Sequence, residues 1–69
     1  MDIKTKIKMA EVYAGITESD VARKLEKSPQ SFGQRLKTGK FTISELETIA
    51  DALGAKFECS FTFPDGHSI

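Results

Sequence analysis

Two glutamines four residues apart, Gln30 and Gln34, stand in the stretch KSPQSFGQRLKTGKF, residues 27 to 41, with Ser31 between them and Lys37 following. A glutamine amide holds a donor and an acceptor side by side. That pair complements the N6 and N7 edge of adenine in a major groove, and a lysine nearby can neutralise a phosphate. On a helical wheel with Gln30 at zero, Gln34 falls near about 40° and Lys37 near about −20°, while Phe32 and Leu36 fall near about 200° and 240°. The stretch therefore predicts a short helix with an apolar inner face and an outer face of Gln30, Gln34 and Lys37, Ser31 lying at its margin. The same polar stripe also suits an idle solvent-facing helix, because glutamine is a good helix former anywhere.

Other chemistry has little to work with. The chain has one cysteine and one histidine, too few for an internal disulfide or a four-ligand zinc site. Cys59 lies on the apolar side of an alternating segment, where burial as a small hydrophobe is expected, and His67 lies in a terminal turn region. Neither glycine-rich phosphate loop nor paired-carboxylate cleft is visible, so the expectation is a protein that is not an enzyme and uses no metal or cofactor.

Charge adds a second signal. Ten Lys and Arg balance ten Asp and Glu, and neutrality by itself argues against a nucleic-acid partner. The distribution is uneven, however. Residues 1–22 set three Lys against Asp2, Glu11, Glu18 and Asp20, for −1; residues 41–69 set Lys56 against five acids, for −4. Residues 23–40 set Arg23, Lys24, Lys27, Arg35, Lys37 and Lys40 against Glu26 alone, for +5. Solvated helix faces also collect Lys and Arg, so the cluster favours a phosphate surface without requiring one.

The elements that must carry these residues can be read in turn. Ile3, Ile7, Ala10 and Ala14 recur at helical spacing before Gly15, predicting a first helix over 2–14. Thr17 with Asp20 forms a capping-box pattern, and Ile16 with Val21 a hydrophobic staple, so a second helix is expected over 18–26 with Val21, Ala22 and Leu25 inward. Ser28 as N-cap and Pro29 as first helical residue open the third, ending near Lys37 before Gly39. Thr42 with Glu45, and Phe41 with Leu46, repeat the box and staple. The stripe Leu46, Ile49, Ala50, Leu53 then defines a fourth helix stopped by Gly54.

Beyond Gly54 the period becomes two. Phe57, Cys59, Phe61 and Phe63 alternate with Lys56, Glu58, Ser60 and Thr62, and Pro64-Asp65-Gly66 is a turn. A short β-hairpin is expected, His67 to Ile69 pairing with roughly Ser60 to Thr62. That pairing leaves the backbone of 56–59 open, so residues 56–63 are expected to pair with a second subunit, burying Phe57, Cys59 and Phe61 at a dimer interface. A chain of 69 residues buries only about 60% of its unfolded surface and gains from such a partner. A monomer whose hairpin folds over Leu46 and Ile49 is the competing arrangement.

An eight- or nine-residue helix, a short break and a second short helix with a polar face outline a helix-turn-helix. Through ITESDVARKL, SPQSFGQRLKTGKF and LETIADAL, the chain resembles the phage repressor and Cro-type helix-turn-helix family over residues 7–53. The resemblance implies that Ala22 lets the two motif helices cross closely and that Phe32 locks the recognition helix. It also implies that Gln30, Ser31 and Gln34 read bases, while Thr17, Ser28, Lys37 and Lys40 meet phosphates. Lys27 and Arg35, from the same basic segment, join the phosphate set.

Three positions depart from the family. Glu18 stands where glutamine is common, and a carboxylate there repels phosphate unless it serves the helix N-terminus. Glu26 and Lys27 stand where the family favours glycine and then an apolar residue; a glutamate at positive φ costs on the order of 1 kcal/mol.

The expectation is thus a mainly α, lambda-repressor-like four-helix helix-turn-helix domain over 1–54 and a β-hairpin arm over 55–69. It would act as a transcriptional regulator of repressor type, binding double-stranded DNA as a homodimer in the cytoplasm. No apolar run reaches the length of a signal sequence or membrane span. The alternative is an antitoxin- or regulator-like module that keeps the fold and binds a protein partner instead of DNA.

Overall fold

Each helix begins where a short polar side chain receives an amide proton. The computed structural model describes residues 2–69, with α1 at Ile3–Ala14, α2 at Glu18–Lys24, α3 at Pro29–Thr38 and α4 at Ile43–Ala52. The N–H groups of Thr5, Asp20, Ser31 and Glu45 donate to the side chains of Asp2, Thr17, Ser28 and Thr42 at 2.8, 3.2, 3.1 and 3.1 Å. Only Thr42 completes a reciprocal box, its own N–H donating to Glu45 Oε1 at 2.9 Å. At Thr17 the partner is an aspartate, one methylene shorter. Its carboxylate accepts from the Thr17 hydroxyl at 2.8 Å and from Arg23 at 3.0 Å instead.

α1 ends at Gly15 with φ 70° and α3 at Gly39 with φ 66°. α2 ends earlier than the sequence pattern suggests, at Lys24, because Glu26 adopts φ 59°. Its N–H donates to the Arg23 carbonyl and that of Lys27 to the Ala22 carbonyl, both at 2.9 Å. This is the pair of bonds that closes a helix through a left-handed residue, a place glycine usually takes.

Ile7, Val21, Ala22, Phe32, Leu36 and Ile49 form one buried cluster, with Ile16, Leu25, Phe41, Leu46 and Leu53 packed against it. α2 contacts both α3 and α4, and α1 contacts α3, so every helix contributes to a single core. The Phe32 and Phe41 rings lie 6.1 Å apart at 58°, a tilted pair within the favourable aromatic range. This packing fixes α3 from beneath and leaves its other face free.

The C-terminal segment departs from the expected strand. Among the described residues no strand forms; the hairpin contracts to one antiparallel bridge between Thr62 and Ser68. Phe61 and Ile69 exchange both backbone bonds at 2.7 and 2.9 Å, the Phe63 N–H donates to His67 O, and Asp65 accepts from the His67 N–H at 2.9 Å. Residues 56–60 form no backbone–backbone hydrogen bond among the described residues. Phe57 is half-buried, but Cys59 and Phe61 are exposed, so the expected burial of the cysteine does not occur. The chain is elongated, 43 × 23 × 19 Å with a radius of gyration of 13.1 Å, against about 11 Å for a compact chain of this length. No described helix is long and apolar enough to cross a membrane.

Candidate nucleic-acid interface

Burial of Phe32 and Leu36 orients α3. With those two side chains 0% and 2% exposed, Gln30, Ser31, Gln34 and Lys37 all stand on the exposed side. The hydrogen bonds around the helix run through Ser28, Arg35 and Thr38 rather than through the glutamines. Both amides are therefore presented to solvent on a helix whose position is set by the core.

The +5 segment resolves into two kinds of cation. Arg23 pairs with Asp20 at 3.0 Å, Lys24 with Asp51 at 3.3 Å and Arg35 with Glu45 at 2.6 Å. Lys27, Lys37 and Lys40 make no ion pair among the described residues. These three lie just before α3, in its last turns and just after it. Thr17 and Ser28 are exposed, although each hydroxyl already accepts a capping N–H.

Arg35 does not join the exposed set. Its guanidinium donates to the Lys40 carbonyl at 2.8 Å and to Glu45, and lies 5.2 Å from the centroid of the Phe41 ring. Hydrogen bonding from Arg35, with that of the Thr42 N–H, lowers the Glu45 carboxyl to a pKa of about 2. Arg35 thus holds the corner between α3 and α4 and fixes the backbone at Lys40. The sequence carried a sign of this in Phe41 and Glu45 beyond the Gly39 stop, but helical periodicity does not extend across a turn.

Glu18 is also engaged. It accepts from Lys8 at 2.9 Å, tying α2 to α1. Beside it lies a residue the sequence pattern left unremarked. Glu11 is 7% exposed and its Oε2 has no hydrogen-bond partner. Burial raises its pKa, the neighbouring Glu18 charge adds to the rise, and Lys8 opposes it. Glu11 sits one turn after Ile7, on the inner stripe of α1, which was the available signal.

The surface as a whole offers two amides, hydroxyls and three unpaired ammonium groups on a rigid helix and its flanks. No cluster of His, Cys, Asp or Glu among the described residues could hold a metal ion. Comparison of the chain with protein-family models, curated proteins and solved structures finds no match in any of the three.

Proposed function

We propose that this chain is a sequence-specific DNA-binding regulator of repressor type, in which α2 and α3 act as a helix-turn-helix and α3 enters the major groove. The observation that carries the reading is the exposed row Gln30, Ser31 and Gln34 flanked by the unpaired Lys27, Lys37 and Lys40. Amides on a fixed helix can read base edges, while mobile ammonium groups supply the non-specific attraction that every duplex shares. The left-handed Glu26 supports the same reading, since it makes the short, tight connection such a motif needs. Thr17 and Ser28 meet phosphates at the two helix starts.

In this proposal the regulator works in the cytoplasm as a homodimer on a two-fold site, and residues 56–63 join the subunits. Selection of bound duplexes from a random pool tests the reading: enrichment of a palindromic consensus supports it. Absence of any enrichment would favour a protein-interaction module on the same helices, a second reading motivated by the exposed Phe61 and Phe63 of an acidic arm.

A further inference from the structure

α1 and α4 leave a groove between them. It is about 360 Å³ in volume and lined by Ile3, Ile7, Ala10, Ile49, Leu53 and Phe57, with Lys6 and Lys56 among its polar positions. The chain's own arm does not fill it. Residues 55–58 form one wall, and residues 61–69 lead away from it, closed on themselves by the Phe61–Ile69 bonds and exposed throughout. The arm therefore carries an uncovered apolar set, Phe61 at 78%, Phe63 at 47% and Ile69 at 74% exposure, while the body carries an uncovered apolar groove.

We infer that the groove between α1 and α4 is the seat for Phe61 and Phe63 of a second copy of this chain, each arm entering the other's groove. This rests on the homodimer proposed above but not on the reading of DNA by α3. Charge is compatible too. From Cys59 to Ile69 the chain has Asp65 and no Lys or Arg, whereas the groove holds Lys6 and Lys56 against Glu58 alone, and neither lysine forms an ion pair within the described residues. Reciprocal seating buries both arms and both grooves. At 78% and 47% exposure Phe61 and Phe63 amount to two and a half exposed rings over both arms; at about 150–250 Å² each the arms bury roughly 400–600 Å², and with an equal area of partner surface the total is about 1,000 Å², the low end of a specific interface. The unbonded backbone of residues 56–60 is then the hinge that lets each arm cross.

The experiment is sedimentation equilibrium of the full chain from 1 to about 100 μM, beside Phe61→Ser and Ala10→Phe. Phe61 is exposed, so its loss leaves the monomer intact. Ala10→Phe fills the groove from inside the same chain. Circular dichroism checks that both variants stay helical. The expected result is a dimer for the parent chain, weakened about a hundredfold or more by each variant, since each change acts at two symmetric seats. In mixed samples of labelled and unlabelled chains, intermolecular nuclear Overhauser contacts should join the Phe61 ring to Ile49 and Leu53 methyls; their absence from a dimer overturns the seating even if Ala10→Phe fails to fold. A dimer that survives Ala10→Phe but not Phe61→Ser overturns the groove and leaves arms paired to each other. A parent chain that stays monomeric overturns it entirely and returns the groove to some other occupant, while selection of DNA by α3 would stand unaffected.

Discussion

Replacing Glu26 by glycine should make the protein more stable. Glu26 is exposed, forms no ion pair among the described residues and holds φ at 59°. The two bonds that close α2, from the Glu26 and Lys27 N–H groups at 2.9 Å, are made by the backbone alone. Glycine therefore loses no contact. An L-residue in the left-handed region costs about 1–2 kcal/mol, and glycine returns roughly 0.5–1 kcal/mol of that through its greater freedom when unfolded. The net gain is about 0.5–1 kcal/mol. For a domain of this size that corresponds to a rise in Tm of about 2–8 °C. Thermal unfolding followed at 222 nm gives the number, with Glu26→Gln as the companion variant. Glutamine keeps the Cβ and removes the charge, so its stability should stay within about 0.5 kcal/mol of the parent. A Glu26→Gly protein no more stable than the parent would refute the reasoning, and an equal gain from Glu26→Gln would assign the effect to charge.

Lys37→Ala and Lys40→Ala should each weaken binding to any duplex alike and reduce the slope of log affinity against log salt by about one unit; titrations between low and physiological salt show this, and Arg35→Ala should instead lower stability. Phe32→Ala should cost about 3–5 kcal/mol, enough to unfold much of a small domain at 25 °C, which urea titration detects. Glu11→Gln should stabilise the protein at neutral pH. Because burial raises the folded pKa of Glu11, its protonation favours the fold fully below the unfolded value of about 4.5, and that benefit fades as pH rises through the folded value. Glu45 acts oppositely: held at about 2 when folded, it supports the fold above about 4.5 and loses that support as pH falls toward 2. The stability of the parent should therefore peak in mildly acid solution, and Glu11→Gln should flatten the limb on the alkaline side.

How much of this was legible in the sequence depended on whether the signal was local. The caps Thr17, Ser28 and Thr42 and the stops at Gly15 and Gly39 act within a few residues, and the helices begin and end beside them. The wheel set Phe32 opposite Gln30 because helical geometry alone decides which side faces in. Arg35 could not be read this way. Its charge marked it as a phosphate contact, but Glu45 and Phe41 approach it across a turn, and only tertiary packing brings them together. Period-two alternation suggested a buried face for Cys59 and Phe61, yet alternation says only that one face is apolar. It does not say what covers that face, and among the described residues Cys59 and Phe61 stay exposed. Glu11 failed for a related reason: a carboxylate on the inner stripe of α1 looks like a fraying of the pattern until its depth is known.

The most direct measurement is the affinity of the parent chain, Gln30→Ala and Gln34→Ala for the selected duplex and for a shuffled duplex of equal length at one salt concentration. If the outward amides of α3 read bases, each variant loses about 1–3 kcal/mol on the selected site and little on the shuffled one, with Tm unchanged. Equal losses on the two duplexes, or no loss on either, would contradict the assignment of α3 as the reading element.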